Sequence, residues 1–354
     1  MMKKIYERFS PEQVRELFLI LIIATIIIVF SFQVDDYFTP TFFNRLSTSV
    51  AIVGVLAVAQ TLVFLTRNFD LSLGSVVGVT AYIVGQQLTR HPDLSPLTTL
   101  LFAIGMGLFM GAINGVLVAY GRVPSLLVTI STLAIYRSFL VEYSKAIPIT
   151  TNNLPDWIVE MNSISLANVG GYELRILFLV MIIIVAIFQV ILSYLRFGRR
   201  LYAIGSNPTA AKVAGFPERN IIFAVFLLSG SLAGLAGLMY LIRFGNIMVL
   251  AGQGLEFAAI AAVVVGGVSN NGGSGTVIGA MLGAFMIDLL ENSLYRTIAI
   301  SEFWRDAILG MLILLAVAVD HVFITRLRKI WARAGFQTQT EQDLDAEEGE
   351  LNVK

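Results

Sequence analysis

Residues 198–217 read Gly-Arg-Arg-Leu-Tyr-Ala-Ile-Gly-Ser-Asn-Pro-Thr-Ala-Ala-Lys-Val-Ala-Gly-Phe-Pro and lie between two long apolar stretches. Their local signals describe one short helix. Ser206 or Asn207 can cap it, Pro208 suits its first position, and Ala210 and Ala211 favour it. Gly215 can end it, with Pro217 just beyond. Arg196, Arg199, Arg200, Lys212 and Arg219 surround it. Basic residues collect on the cytoplasmic side of membrane proteins, so this helix is expected at the cytoplasmic membrane face.

Composition supports a membrane setting for the flanking stretches. Hydrophobic residues make up 56% of the chain and charged residues 14%, against roughly 45–50% and 25% in soluble domains. Mean hydropathy is +0.80. The 24 Lys and Arg balance the 24 Asp and Glu, so net charge suggests no nucleic-acid partner. The absence of cysteine excludes disulfides, thiolate chemistry and Cys-ligated metals. His91 and His321 are the two histidines, too few and too far apart in the chain for a His-based zinc site. No Gly-Lys dipeptide occurs, hence no phosphate-cradling loop of that kind, and no catalytic constellation assembles. Any ATP must be hydrolysed by another chain, and no cofactor is expected on this one.

About 20 apolar residues cross a bilayer core. Lys3, Lys4 and Arg8 precede an apolar run with no small-x-small cleavage site after it, so the first span is read as retained. Spans are expected near 17–33, 47–66, 71–89, 97–120, 124–143, 174–196, 219–242, 256–269, 275–296 and 304–325. The fold class is thus an all-α integral membrane protein of eight to ten spans, ten being the preferred parse. Residues 1–16 form a cytoplasmic segment, 17–333 the membrane domain with its loop at 197–218, and 334–354 a cytoplasmic tail. That tail holds six carboxylates between Glu341 and Glu350, a composition that predicts disorder.

Charge placement agrees with this parse. With the N-terminus inside, 16 of the 24 basic residues fall on cytoplasmic segments: Lys3, Lys4, Arg8, Arg15, Arg67, Arg122, the five around residues 198–217, Arg326, Arg328, Lys329, Arg333 and Lys354. Small residues recur at helical spacing, as in Gly107, Gly111 and Gly115, in Gly230 and Gly234, and in Gly275, Gly279 and Gly283. Such stripes let helix backbones approach closely in lipid, and tight packing in one bundle accounts for them. Gly-Ser-Val-Val-Gly at 74–78 echoes Gly-Thr-Val-Ile-Gly at 275–279, consistent with an internal duplication.

Four stretches together carry a family resemblance. They are Leu65-Thr-Arg-Asn-Phe-Asp-Leu-Ser-Leu-Gly-Ser75, Pro124-Ser-Leu-Leu-Val-Thr-Ile-Ser-Thr-Leu133 followed by Tyr136-Arg137, the loop with Ala210-Ala211 and Gly215, and Ala258–Gly275. In this order, over about residues 45–325, the chain resembles the permease subunits of ABC importers, most closely those for ribose, rhamnose and autoinducer-2. The resemblance implies a ten-span fold similar to the vitamin B12 importer permease, in the bacterial inner membrane with both termini cytoplasmic. It implies a dimer with an identical or paralogous permease subunit, two cytoplasmic ATPase domains and an extracytoplasmic solute-binding protein. It marks Ser206, Asn207, Pro208, Ala210, Ala211 and Gly215 as the coupling element for the ATPase, with the small Ala211 docking in a cleft of that subunit. The solute would be a monosaccharide or a sugar-like molecule. The acidic tail has no counterpart in the resemblance.

Polar residues inside spans are costly against lipid and usually face protein or water. Gln60 and Asn114 sit in apolar runs, where each either bonds a neighbouring helix or lines the path. Asn68 and Asp70 lie at the break between the second and third spans, where free backbone groups can meet a polar solute. Asp70 also reads as the N-terminal cap of the third span. Tyr136 and Arg137 face an outer cavity, or Arg137 pairs with Glu142. An ion-coupled secondary transporter is the rival class, since Asp70 and the short eighth segment suit it too.

Overall fold

The computed structural model describes residues 11–34 and 37–297, together with five isolated positions as far as residue 314. The first half comprises α1 (Pro11–Ser31), α2 (Pro40–Leu65), α3 (Leu73–Arg90), α4 (Pro96–Gly115) and α5 (Ser125–Ser144). α4 runs on into a wider π turn, Val116–Tyr120. A short helix α6 (Asp156–Met161) and an antiparallel hairpin, β1 (Ser165–Val169) with β2 (Tyr172–Arg175), connect the halves. The second half comprises α7 (Ile176–Tyr194), α8 (Arg196–Ser206), α9 (Pro208–Val213), α10 (Glu218–Phe244), α11 (Leu255–Val265) and α12 (Val277–Thr297).

Three helices start on the same local chemistry. Thr39, Ser95 and Asn207 each precede a proline at the first helical position, and each side-chain oxygen accepts a backbone N–H three residues on. The cap satisfies one otherwise unpaired donor, while proline supplies a fixed φ and lacks an N–H that would go unused. α10 stops at Gly245, which takes the left-handed conformation at φ +59°.

α2 is the axis of the bundle, buried along the length of its apolar core from Val50 to Leu65. Lipid is as apolar as leucine, so helices in it gain by close packing rather than by escaping water. The glycine stripes supply that closeness. A Cβ on Gly107 of α4 would lie 2.1 Å from the carbonyl oxygen of Gly230 on α10, and one on Gly234 would lie 2.3 Å from that of Ala103. α4 and α10 therefore touch backbone to backbone. Gly78 of α3 likewise abuts the carbonyl of Ala251, and Gly283 of α12 that of Ala262.

Seven helices among the described residues are long and apolar enough to cross a membrane: α1, α2, α4 with its π turn, α5, α7, α10 and α12. α3 is helical over 18 residues, but Gln86, Gln87 and Arg90 dilute its apolar character. The stretch expected as the eighth span, 256–269, holds a helix shorter than a full crossing. α11 has 11 residues, about 16 Å at 1.5 Å per residue, which is half of a bilayer core of about 30 Å. Gly266 and Gly267 follow it and the chain turns back. The hairpin β1–β2 qualifies the all-α expectation, and α8 makes the loop at 197–218 two helices instead of one. The expected tenth span at 304–325 lies outside the described residues apart from the isolated positions, as do residues 1–10 and the acidic tail.

Candidate functional site

Between α2 and α3 the helix is interrupted for seven residues, 66–72, inside the protein. Buried backbone groups demand partners, and side chains provide them here. Ser125 Oγ accepts the Phe69 N–H at 3.1 Å, and Thr129 Oγ1 donates to the Phe69 carbonyl at 3.4 Å. Asn68 Nδ2 folds back onto the Thr66 carbonyl at 2.9 Å. Both stitching hydroxyls come from the first turns of α5, so that helix holds the break in shape.

Asp70 occupies the centre of the break and is 1% exposed. Its Oδ1 accepts the Ser72 N–H at 3.0 Å and the Ser72 hydroxyl at 2.6 Å, and its Oδ2 accepts the Ser229 hydroxyl of α10 at 3.2 Å. Asn114 of α4 donates from Nδ2 to Ser72 Oγ at 2.8 Å, while its Oδ1 has no partner. The structure thus unites Asp70 and Asn114 through Ser72. Asp70 is not the side-chain cap of α3: the residue before that helix is Ser72, and Asp70 closes a turn onto its N–H.

The other sequence-derived path residues stand apart from this network. Tyr136 is buried and donates to the Met110 carbonyl at 3.0 Å, joining α5 to α4 instead of facing an outer cavity. Arg137 donates to the Ala251 carbonyl at 2.6 Å rather than pairing with Glu142. Gln60 is fully buried in α2, and neither its Nε2 nor its Oε1 has a hydrogen-bond partner.

A second break, residues 266–276, separates α11 from α12 and carries four glycines with positive φ, at 267, 272, 273 and 275. It lies against the first. Gly273 N–H donates to the Leu65 carbonyl at 3.1 Å, and Tyr202 of α8 donates to the Gly275 carbonyl at 2.8 Å. Arg67 donates to the Gly205 and Ser206 carbonyls at the end of α8.

α9 follows α8 directly. Asn207, not Ser206, caps it, accepting the Ala210 N–H at 3.0 Å, while the Ser206 hydroxyl donates to the Gly273 carbonyl at 3.3 Å. At its other end Gly215 takes φ +76°, its N–H reaching the Lys212 carbonyl and the Phe216 N–H reaching that of Ala211. This is a Schellman closure, and a Cβ at Gly215 would meet nothing within 4 Å, so conformation rather than space calls for glycine. Ala211 faces inward at 4% exposure, whereas Val213 is 85% exposed. A docking contact through the Ala211 side chain is therefore corrected: the outward face of α9 is Thr209, Ala210, Lys212 and Val213.

A cavity of about 660 Å³ opens beside α9, lined by Asn68 and Ser125 at the first break, Arg122, and residues from Lys212 to Asn220 on the α9–α10 connection. Of the path residues read from sequence, Asn68 alone lines it. Among the described residues no group of three His, Cys, Asp or Glu gathers as for a metal ion. The first break offers hydroxyls, carboxamides and one screened carboxylate, groups that hydrogen-bond a polar solute, and the cavity beside it adds the charged Arg122, Lys212, Glu218 and Arg219. Sequence reasoning misses Ser72 and Ser229 as site residues, and it gives no partner for Arg67. Ser72 stands two residues from Asp70 and is open to an Asx-turn reading; Ser229 gives no signal beyond being polar in a span.

Comparison with known proteins bears on these features. Residues 42–317 match the family described as "Branched-chain amino acid transport system / permease component". The chain is similar to the autoinducer 2 import system permease protein LsrC of Yersinia enterocolitica, 33% identical over 290 residues, 80% of this chain and 76% of that protein. It is similar also to LsrC of Yersinia pseudotuberculosis, 34% identical over 80% of this chain and 78% of that one. No solved structure matches.

Proposed function

The chain belongs to the branched-chain amino acid transport system permease component family, and on that premise we propose that it forms the solute path of an ATP-driven importer for a monosaccharide or sugar-like molecule. It is a multi-pass inner-membrane permease subunit and not itself an enzyme; ATP hydrolysis belongs to a separate subunit. An ion-coupled secondary transporter does not fit a component of such a multi-part system. The relatives' name, an autoinducer 2 import permease, supports the sugar-like class of solute.

One observation carries the reading of the coupling element. α9 is a six-residue helix closed at both ends, held to the body by Ala211, and it presents Val213 outside the spans at 85% exposure. An exposed apolar tip on a rigid, pre-shaped helix suits docking into a cleft of the ATPase. Ser206, Asn207, Pro208, Ala210, Ala211 and Gly215 build and orient the helix, and Val213 makes the contact. Arg15, on Gly267, lies at the α9 end of the bundle, which supports a cytoplasmic N-terminus; a tenth span then returns the C-terminus to that side. The fold has the ten-span plan of the vitamin B12 importer permease. A second permease subunit, identical or paralogous, completes the path, and an extracytoplasmic binding protein loads it.

The path runs past the first break. Asn68 lines its cytoplasmic cavity, Asp70 and Asn114 form the closed polar gate above, and Gln60 and Tyr136 flank it in the core. The unmet Asn114 Oδ1 and Gln60 amide gain partners when the gate opens to solute. Coupling is then a difference in ATP affinity between two states of the spans. The test is copurification of an ATPase subunit, followed by reconstitution with the binding protein and a panel of labelled sugars and autoinducer 2. ATP-dependent uptake of one of them is expected; uptake driven by an ion gradient without ATP would overturn the assignment.

A further inference from the structure

The two helix breaks meet at one point, the C-terminal end of α8. Arg67, the second residue of the first break, donates from Nε to the Gly205 carbonyl and from Nη2 to the Ser206 carbonyl at 2.8 Å. Its stem lies on the second break: a Cβ on Gly272 would fall 2.5 Å from Arg67 Cγ. Gly205 itself is wedged between the breaks, since a Cβ there would lie 1.9 Å from the Leu65 carbonyl oxygen and 2.4 Å from the Gly273 nitrogen.

We propose that Arg67 is a positioning residue through which displacement of α8 and α9 reaches the two breaks together. The proposal rests on α9 being the coupling helix. α9 follows α8 with Asn207 between them, so a push on Val213 moves the end of α8. At that end Gly205 meets the backbones of Leu65 and Gly273 directly, so the movement is passed on through backbone contact. Helix C-termini carry partial negative charge, and a guanidinium bound to them makes a charge-assisted pair of hydrogen bonds, the strongest tie in the junction. Three residues after Arg67 comes Asp70, which holds Ser72 and Ser229. A shift of Arg67 thus pulls directly on the polar gate. Arg67 also stands at φ +62°, where non-glycine residues are uncommon, so the backbone is held in an unfavourable conformation that aims the side chain at α8.

The test uses the full permease with its ATPase subunit in proteoliposomes. The chain has no cysteine, so Asn68→Cys gives a single reporter at the cavity wall, labelled by a membrane-impermeant maleimide with and without ATP plus vanadate. Trapped nucleotide is expected to change the labelling rate at least about fivefold, an energy difference on the order of 1 kcal/mol between the two states. Arg67→Gly keeps the left-handed backbone without strain and removes the guanidinium. It should retain the ATPase subunit and basal ATP hydrolysis, yet abolish the nucleotide-dependent change in labelling. Arg67→Lys, with one charged donor group, should recover part of the change. An undiminished change in Arg67→Gly would overturn the proposal, as would loss of the ATPase subunit, which would make Arg67 a structural clamp. Failure of the coupling reading itself would show differently, as an unaltered complex when Val213 is made acidic.

Discussion

Ser229 and Asp70 lie 159 residues apart in sequence, and the serine hydroxyl donates to Asp70 Oδ2 at 3.2 Å in a fully buried setting. The bond ties the first helix break to α10, the helix that starts directly after the α9 connection. Substitutions at Asp70 separate its hydrogen bonds from its charge. The carboxamide introduced by Asp70→Asn would still offer an acceptor to Ser72 and a donor to Ser229, whose hydroxyl can accept. Asp70→Asn should therefore assemble normally, whereas Asp70→Leu strands the donors that the carboxylate now satisfies and should lower the unfolding temperature in detergent and the membrane level. Equal stability of the two variants would show that the network contributes little.

Close backbone contact between α4 and α10 predicts a sharp contrast between neighbouring glycines. Gly107→Val drives its side chain into Gly230 and should sharply reduce folded protein. Gly105, on the same helix, has nothing within 4 Å of a built Cβ. Gly105→Ala should be neutral or stabilising by up to about 1 kcal/mol, because alanine loses less backbone freedom in a helix than glycine. Thermal unfolding of the two purified variants measures this.

The tip of α9 separates docking from folding. Val213 is 85% exposed, so Val213→Glu should leave membrane abundance unchanged, while the ATPase subunit is lost on purification and uptake collapses. Ala211→Arg forces a charge into a buried site and should reduce abundance as well. Intact transport by Val213→Glu would remove α9 as the docking element.

Orientation can be read with a reporter active only in the cytoplasm. Fused at Asn207 it should work, and at Asn153, between α5 and α7, it should fail. Activity at Asn153 would overturn the proposed alternation of the spans around that connection.

Local chemistry makes several of these features legible in the sequence. Asn207, Pro208 and Gly215 bound α9 because capping, proline and a left-handed terminus act over three or four residues. The glycine stripes announce close helix contacts because their spacing is that of a helix face. Other features depend on tertiary placement. Nothing within residues 208–214 tells which alanine turns inward, so Ala211 reads as an outward contact. The apolar run after residue 255 is long enough to suggest a span, but its helix stops after 11 residues, before Gly266 and Gly267. Arg67 reads as one more inside charge, since positive-inside statistics count cations without saying what they bind. Ser229 is illegible as a partner of Asp70 because only the fold brings them together.

The glycine seam of α4 and α10 has a kinematic consequence. Where carbonyls sit against α-carbons at van der Waals range, neither helix can slide or roll without backbone collision, and there are no side chains to swing aside. The pair acts as one stiff beam running through the bundle toward the cavity beside α9. A beam of this kind does not bend to open a path; it can only tilt as a unit about softer joints. Alternating access in this chain should accordingly leave distances between α4 and α10 unchanged, while those measured across the interrupted segments differ from state to state.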